Sequence, residues 1–306
     1  MIARVFCAGC VVADEVFRLP HLPAGDGKFF AVSRRRTMGG MAAAAAATVV
    51  GLGGRAALWA PVGDDAEGKF LLDEIIGAGV DSLLVRRRQC ATAFSAVCMD
   101  DAGGRMIVNF APPALYAAPK KMPSLRGVKA VLADIRWLGG AAAALESAQK
   151  AGIPSVLDWE TAPLTASSDG LLMLARLATC VVFSHDGLRQ FCKAAKKPFR
   201  TERALREAAT TMGAAVAMTR GADGVIFLRE DFSVGIISTP AVVANNTLGA
   251  GDAFHGALAL ALAEGQDFES GLMFATAAAA AKCTKPVGQY PRRREISRLL
   301  RQIRTP

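Results

Sequence analysis

The sequence predicts an α/β protein in which helices cover both faces of a mainly parallel central sheet. Apolar runs typical of buried strands alternate with segments of helical character along most of the 306 residues. This alternation favours parallel strands that are joined by helical crossovers. Two stretches near the N-terminus interrupt the alternation and indicate a small additional β-structure.

Seven apolar runs are the predicted strands of the central sheet. The first, ARVFCAGCVV, is continuously apolar and is interpreted as one buried strand over residues 3–12. The others follow in the order AALWAPVG, AVLADIRW, PSVLDW, CVVFS, AVAMTRG and GVIFLR. Helices are predicted between these runs at residues 68–77, 141–151, 171–178 and 202–211.

The two interrupting stretches are predicted to form a β-lid. Residues 28–36 have the character of an extended segment. Residues 93–110 indicate a hairpin, because AFSAVCM and RMIVNF flank the turn sequence DDAGG. We therefore predict a lid built from about residues 14–38 and 90–113, within a single domain that spans residues 1–306. No internal repeat or linker rich in proline, glycine or serine divides the chain.

Composition excludes several classes of protein. With 52% hydrophobic and 21% charged residues, the chain is typical of a globular protein and not of a disordered one. Its longest apolar stretches, residues 41–50 and 253–263, are too short to cross a bilayer. The N-terminus has the pattern of an opening strand and not of a signal peptide. Seven scattered cysteines, including a lone C-x-x-C pair at Cys7 and Cys10, indicate a reducing compartment, so we expect a cytoplasmic protein.

The formal charge of +9 is distributed over short separate runs. These runs lie at residues 34–36, 86–88, 193–197 and 292–294. None is interleaved with aromatic residues, and the chain has only 2 tyrosines and 3 tryptophans, which argues against a stacking surface for nucleic acid. We expect most of these runs to be solvated surface and predict no nucleic-acid or membrane partner. Anionic small substrates remain compatible with this charge.

The segment NTLGAGDAFHGALALALAEG, residues 246–265, places small residues and an aspartate at the start of an apolar helix. Gly249, Ala250 and Gly251 would let a ligand approach the backbone closely, and a helix start with free N–H groups attracts anions. Asp252 would then lie beside the bound anion and could accept a proton. These features suit phosphoryl transfer, although an ordinary helix cap remains an alternative on this segment alone.

Three motifs in the same order give the chain a resemblance to the ribokinase-like (PfkB) sugar kinases over nearly its whole length. NTLGAGD is similar to the C-terminal motif of that family. An upstream glycine signature of the family has its spacing preserved here, at Gly39, Gly40, Gly53 and Gly63. The last of these glycines belongs to the sequence VGDD. TRGADG, residues 219–224, is similar to the turn that lies along the nucleotide phosphates. The resemblance implies a ribokinase-like fold with a β-lid, and ATP-dependent phosphorylation of a sugar hydroxyl with Mg²⁺.

The resemblance also implies roles for individual residues. Asp252 would be the catalytic base, and the amides of Gly249, Ala250 and Gly251 would hold the charge that develops on the γ-phosphate. The sugar would be bound by Asp14, Gly39 and Gly40. ATP would be bound by Thr219, Gly221, Gly224 and Gly288. A monovalent cation (K⁺) would be bound by the backbone of Asn246 and Leu248.

Two departures from the family pattern qualify this assignment. Ala44 stands where the family has an asparagine that contacts the sugar. The Asn-x-x-Glu motif that organises water around Mg²⁺ is replaced by SHDG at residues 184–187. His185 and Asp186 could compensate for the missing motif, but a solvated helix start is the favoured interpretation.

The segments VLADIRW, DAFHGALA and KCTKPVG look similar to one subgroup, the sulfofructose kinases, which shares both departures. That resemblance implies that Lys28, Asn109 and Arg136 hold a sulfonate, and that the 1-hydroxyl of 6-deoxy-6-sulfofructose is phosphorylated. Alternation along the hairpin places Ile107 and Asn109 on one face. The alternatives are a kinase of fructose, a fructose phosphate or another pentose or hexose, and a sensing protein without turnover. A homodimer formed through the lids is expected from the resemblance.

Overall fold

The computed structural model describes residues 2–82, 86–161 and 167–303. The strands are β1 (Arg4–Ala8), β2 (Val12–Arg18), β3 (Ser33–Gly39), β4 (Arg55–Trp59), β5 (Pro61–Gly63), β6 (Arg86–Arg88), β7 (Phe94–Met99), β8 (Arg105–Phe110), β9 (Ala130–Asp134), β10 (Ser155–Trp159), β11 (Cys180–Phe183), β12 (Ala215–Thr219), β13 (Val225–Leu228) and β14 (Val234–Ile237). The helices are α1 (Met41–Gly51), α2 (Ala66–Gly77), α3 (Leu138–Ala151), α4 (Ser168–Ala175), α5 (His185–Ala194), α6 (Thr201–Met212), α7 (Ala250–Ala263), α8 (Phe268–Cys283) and α9 (Arg293–Leu300).

The central sheet has the strand order β14-β13-β12-β11-β10-β9-β1-β4. The strands from β4 to β12 in this order are parallel, and β13 and β14 extend the sheet with antiparallel pairings. The mainly parallel sheet that the sequence predicted is therefore confirmed. The predicted helices also form, as α2, α3, α4 and α6, although α4 ends at Ala175 and not at residue 178.

Each face of the central sheet packs against its own set of helices. Val5 and Cys7 of β1 contact the core formed with α1, α7 and α8, whereas Phe6 and Ala8 contact the core formed with α3 to α6. Side chains alternate between the two faces of a strand, so a strand covered on both sides is apolar throughout. None of the helices in the described ranges is long and apolar enough to cross a membrane.

The first apolar run forms two strands and not one. β1 ends at Ala8 and belongs to the central sheet, whereas β2 begins at Val12 in a second sheet, so Asp14 lies in β2. The chain turns at Gly9, where a Cβ would lie 2.0 Å from the Asp134 carboxylate. AALWAPVG divides in the same way into β4 and β5, and β5 pairs with β6. A continuous apolar pattern does not distinguish one buried strand from two buried strands in succession.

The second sheet is formed by β3, β2, β7 and β8 in that order. The short β1–β2 connection joins this sheet to the carboxyl end of β1. β7 and β8 pair as an antiparallel hairpin, as predicted. Its turn is held by Asp100, whose Oδ1 accepts the N–H groups of Ala102 and Gly104. The predicted extended segment at residues 28–36 is only partly a strand, because β3 begins at Ser33.

The start of α7 differs from the starts of several other helices. Asp65, Ser167, Ser184 and Asp267 cap α2, α4, α5 and α8 by accepting a backbone N–H of the first turn. The cap position of α7 is Gly249, which has no side chain to do so. The first turn of α7 therefore keeps its N–H groups available for another partner.

Candidate active site

A cavity lies where the second sheet meets the start of α7. Its wall contains Asp14, Gly39 and Gly40 on the side of the second sheet, and Leu248, Gly249 and Asp252 on the side of α7. Gly288 and Ala44, the residue in place of the family's asparagine, also line it. The structure thus brings together the predicted sugar-side residues and the predicted base, although they are more than 200 residues apart in the sequence.

The first turn of α7 is suited to binding an anion. Gly249 has a φ of 76°, a left-handed conformation that favours glycine. Ala250 donates to Thr247 and Ala253 donates to Gly249, but the N–H groups of Gly251 and Asp252 have no acceptor among the described residues. A Cβ on Gly251 would meet no atom within 4 Å, so the approach to these amides is open. The helix dipole adds positive potential at the same point.

Asp252 lies half-buried in the wall of the cavity. Burial raises the pKa of its carboxyl to about 8, and the negative charges of Glu160, Asp134 and Asp14 act in the same direction. Lys282 opposes them and lowers the pKa. A carboxyl with a pKa close to neutral pH accepts a proton more readily than an ordinary aspartate does. The environment of Asp252 is therefore suited to general base catalysis.

Asp14 belongs to a row of polar side chains that crosses the second sheet. Thr37, Asp14, Ser95 and Asn109 are directly opposite one another on successive strands, so they share one face. The Ser95 hydroxyl donates to Oδ1 of Asn109 over 2.7 Å. Burial raises the pKa of Asp14 to about 6, and the neighbouring polar group of Ser95 opposes this rise. Asn109 is thus linked through Ser95 to Asp14, which belongs to the cavity wall.

Gly39, at the end of β3, and Gly40, just before α1, lie in the cavity wall where a side chain would not fit. A Cβ on Gly39 would lie 2.0 Å from Oδ2 of Asp14, so only glycine leaves room for that carboxylate. Gly40 has a φ of 93°, and a Cβ there would lie 2.7 Å from the Cys10 carbonyl oxygen. Gly39 therefore leaves room for Asp14, and Gly40 lets the start of α1 approach the β1–β2 connection.

Asp134 is a buried residue that the sequence did not single out. Its carboxylate accepts the backbone N–H groups of Cys10 at 2.8 Å, Ala42 at 3.1 Å and Arg136 at 2.9 Å. It therefore joins the β1–β2 connection, the first turn of α1 and the segment after β9. The signal for such a residue is only an aspartate at the end of an apolar strand, which does not reveal three partners distant in sequence.

A second buried pair supports the first turn of α7 from below. Nδ1 of His255 lies 2.7 Å from the Gly251 carbonyl oxygen and 3.1 Å from Oδ2 of Asp158 in β10. Because the Gly251 carbonyl oxygen can only accept, Nδ1 carries the hydrogen. Burial lowers the pKa of His255 to about 4, and burial raises the pKa of Asp158 well above its ordinary value. The pair attaches the first turn of α7 to the central sheet.

The predicted cluster of Lys28, Asn109 and Arg136 is not assembled among the described residues. Lys28 is exposed in the connection between β2 and β3. Nη2 of Arg136 instead lies 3.3 Å from Oε2 of Glu160, close to the acidic wall around Asp252. None of the three side chains belongs to the wall of the cavity, and Asn109 and Arg136 have different partners, Ser95 and Glu160.

The predicted nucleotide turn follows β12 at the carboxyl edge of the central sheet. Thr219 ends β12, and residues 221–223 form a 3₁₀ turn held by a hydrogen bond from Thr239 to the Gly221 carbonyl. Gly224 is required there because a Cβ would lie 1.9 Å from the Ile237 carbonyl oxygen. Strands β9 to β12 all end at this edge, so the turn lies on the same side of the sheet as the acidic residues.

The side chains of Asn246 and of residues 184–187 interact mainly with the local backbone or lie exposed. Asn246 is buried, donates to the Lys285 carbonyl over 2.6 Å and accepts the N–H of Leu248, so it fixes the loop before α7. Ser184 caps α5, and His185 and Asp186 are exposed, as expected for a solvated helix start. In the described ranges, no group of three or more His, Cys, Asp or Glu residues is arranged to hold a metal ion.

Comparisons with known proteins show which family the sequence matches. The model of the pfkB family of carbohydrate kinases matches residues 5–294. A ribokinase of Haemophilus influenzae is 26% identical over 304 residues, which covers 95% of this chain and 96% of that protein. An ATP-dependent ribose-1-phosphate kinase of Halopiger xanaduensis is 39% identical over 101 residues, only 33% of this chain and 34% of that protein.

Solved structures are similar over the whole fold. The crystal structure of a candidate ribokinase from Agrobacterium tumefaciens has a TM-score of 0.91 and 32% identity, and covers 99% of this chain and 98% of that chain. The ribokinase of Arabidopsis thaliana complexed with ribose and ATP has a TM-score of 0.80 at 22% identity, and covers 98% of this chain and 99% of that chain. The second of these similarities concerns the fold alone.

Proposed function

Because this chain belongs to the pfkB family of carbohydrate kinases, we propose that it transfers the γ-phosphoryl group of ATP to a sugar hydroxyl at the cavity between the second sheet and α7. The observation that carries this proposal is the pairing of Asp252, whose carboxyl has a pKa of about 8, with the free N–H groups of the first turn of α7. One part of the site accepts a proton and the other holds negative charge.

The reaction follows from these two parts. The sugar hydroxyl oxygen attacks the γ-phosphorus, and its proton passes to the carboxylate of Asp252. The bond between the γ-phosphorus and the bridging oxygen breaks, and ADP leaves with the electron pair. The free N–H groups of Gly251 and Asp252 stabilise the charge on the transferring group, whereas the N–H of Ala250, expected to take part, is already bonded to Thr247. Asp14, held over Gly39, orients the sugar through its hydroxyl groups.

In this proposal, ATP binds on the side of the turn that follows β12. Thr219, Gly221 and Gly224 would border its phosphates, and the backbone of Asn246 and Leu248, with the loop at Gly288, would bind K⁺. Mg²⁺ would neutralise phosphate charge during the transfer. Because the described residues offer no dedicated metal cage, the phosphates and water would supply most of its ligands.

For the substrate we favour an anionic ketose, 6-deoxy-6-sulfofructose. The small Ala44 in the cavity wall leaves more room than an asparagine would, and Arg136, which is paired with Glu160, supplies a positive charge near the acids that act on Asp252. Lys28, in the exposed β2–β3 connection, would reach the sulfonate when the sugar binds, and the amide of Asn109 would add a neutral donor. Ribose and ribose 1-phosphate are the second candidates, since ribokinases and a ribose-1-phosphate kinase are among the similar proteins.

An ATP-consumption assay on the wild type, over sulfofructose, fructose, fructose 6-phosphate, ribose and ribose 1-phosphate, tests this choice. We expect the highest kcat/KM with sulfofructose. Lys28→Ala and Arg136→Ala should each lower kcat/KM for sulfofructose by about ten- to a hundredfold, since a hydrogen bond to a charged group contributes about 1.5–3 kcal/mol.

Neutral fructose is the matched control, because it has the same reacting hydroxyl and no sulfonate. Removing Arg136 also leaves Glu160 unpaired near Asp252, and this effect should harm both sugars. The informative quantity is therefore the ratio of kcat/KM for the two sugars. Equal losses, or a preference of the wild type for fructose or ribose, would exclude the sulfonate substrate and leave the kinase function intact.

We also propose that the protein forms a homodimer through the second sheet. β8 is at the edge of this sheet, and Val108 and Phe110 are 60% and 55% exposed. Phe30, in the adjacent β2–β3 connection, is 83% exposed. An edge strand with exposed apolar side chains favours association with another chain, and a second copy presents the same surface.

A further inference from the structure

Lys282 is a buried lysine with no partner in the cavity wall. It lies in the last turn of α8, and along this helix it is the only ionisable residue that is buried. Its exposed fraction is 3%, yet its ammonium has no hydrogen bond or ion pair with the described part of the chain. Burying most of a lysine side chain without a partner for its charge is costly. Because Lys282 lines the cavity, an anion bound there would supply the partner that the described chain does not.

The ammonium lies against the first turn of α7. A Cβ built on Gly249 would be 3.4 Å from Cε and 4.0 Å from Nζ of Lys282, and 3.7 Å from Oδ2 of Asp252. The free N–H groups of Gly251 and Asp252 belong to the same turn. Two amide donors, the positive end of a helix and an ammonium therefore meet at one place, and Lys282 and Asp252 both line the cavity.

The negative charge of Asp252 does not by itself satisfy Lys282. The two side chains form no ion pair, although both lie next to Gly249. Burial lowers the pKa of Lys282, and Asp252 only partly opposes this effect. In turn, Lys282 lowers the pKa of Asp252, but burial and the nearby acids keep it raised. The arrangement calls for an anion with several acceptor oxygens.

We propose that the ammonium of Lys282 binds the phosphoryl group during its transfer and completes the anion site formed by the first turn of α7. This inference rests on the proposed kinase function and adds to it a charged residue beyond the backbone amides. The lysine donates to phosphoryl oxygens while charge redistributes between the sugar oxygen and ADP. Its charge acts strongly there, because the site is largely shielded from water.

Lys282→Met removes the charge and keeps most of the volume. We expect kcat to fall by about a hundredfold or more, as it does when one donor of an anion hole is lost. Calorimetry should find the affinity for ADP nearly unchanged, whereas binding of ADP with aluminium fluoride and sugar, which mimics the transferring phosphoryl group, should weaken to a similar degree. The melting temperature should stay the same or rise, because an unpaired buried charge has been removed.

Lys285→Met is the matched control. Lys285 is also a partly buried lysine, three residues further on, but it is paired with Glu295, and its replacement should leave kcat unchanged. Lys282→Arg, which keeps the charge, should recover part of the lost activity. If Lys282→Met does not fold, Lys282→Gln provides the same comparison.

Two results would overturn the role of Lys282. One is a kcat of Lys282→Met within about fivefold of the wild type, well short of the loss expected for an anion-hole donor. The other is full recovery of the variant at high pH, which would mean that Lys282 acts only as a counter-ion for Asp252. A wild type that phosphorylates no sugar would instead refute the proposed function itself, so the two failures are distinguishable.

Discussion

At the scale of single residues, the reactivity of the site depends on the charges around the carboxyl of Asp252. Burial and three neighbouring acids raise its pKa, and Lys282 lowers it. The acids come from β2, from the end of β9 and from the segment after β10, so no local sequence determines this balance. Two substitutions examine it separately.

Asp252→Asn keeps the size of the side chain and removes the base. We expect kcat to fall by about 10²- to 10⁴-fold with little change in the affinity for ATP. Steady-state kinetics and nucleotide titration measure the two effects. A variant that keeps more than about a tenth of the wild-type kcat, where chemistry limits the rate, would exclude Asp252 as the base.

The dependence of activity on pH should follow the ionisation of Asp252. Since the base must be deprotonated, kcat/KM should rise with pH, with a midpoint near 8 in the free enzyme. Glu160→Gln removes a negative charge that raises this pKa, so the midpoint should move to lower pH. Asp186→Asn, an exposed acid outside the cavity, is the control and should leave the midpoint unchanged. A midpoint that stays in place or rises in Glu160→Gln would contradict this account.

At the scale of secondary-structure elements, two glycines at the start of α7 have different roles. Gly249 has the left-handed conformation, whereas Gly251 does not, and a Cβ on Gly251 would meet no atom within 4 Å. Strain from an added side chain is therefore expected at Gly249, whereas Gly251 leaves open access to the amides.

Gly251→Val should therefore abolish most turnover while the melting temperature stays near that of the wild type, because the new side chain blocks only the approach of the phosphate. Gly249→Ala should lower stability by about 1 kcal/mol or more through its left-handed backbone. Thermal denaturation and kcat, measured on both variants, give the comparison. Loss of stability without loss of turnover in Gly251→Val would make the turn merely structural.

At the scale of the whole molecule, the second sheet contributes both to the cavity and to the exposed apolar surface. One face carries the row from Thr37 to Asn109, and the adjacent residues Val108 and Phe110 alternate to the other face of β8. Association through β8 would therefore lie close to the sugar side of the site. A substitution at Val108 can examine association without changing the polar row.

Val108→Lys should convert the expected dimer, about twice the subunit mass of 32.0 kDa, into a monomer. Light scattering coupled to gel filtration measures the mass. Met173→Lys replaces an equally exposed apolar residue on α4 and should leave the dimer intact. A wild type that is monomeric at all concentrations would refute association through this sheet.

Much of the fold and the backbone of the candidate anion site could be predicted from the sequence, because both are encoded locally. Alternating apolar strands and helices determined the mainly parallel sheet, and DDAGG determined the hairpin of β7 and β8. The small residues before Asp252 likewise determined an uncapped helix start with free amides. In each case neighbouring residues fix the backbone, so a short segment contains the information.

Only the tertiary structure decided which other residues surround Asp252. The carboxyl ends of parallel strands meet at one edge, and this brings Asp134 and Asp158 from two strands towards α7, while α8 adds Lys282. It also decided that Gly9 ends the first strand, because the chain there packs against Asp134. Conversely, it did not bring Lys28 to Arg136, whose guanidinium is paired with Glu160. Burial and charge at a site are sums over residues distant in sequence, and the fold alone sets the distances between them.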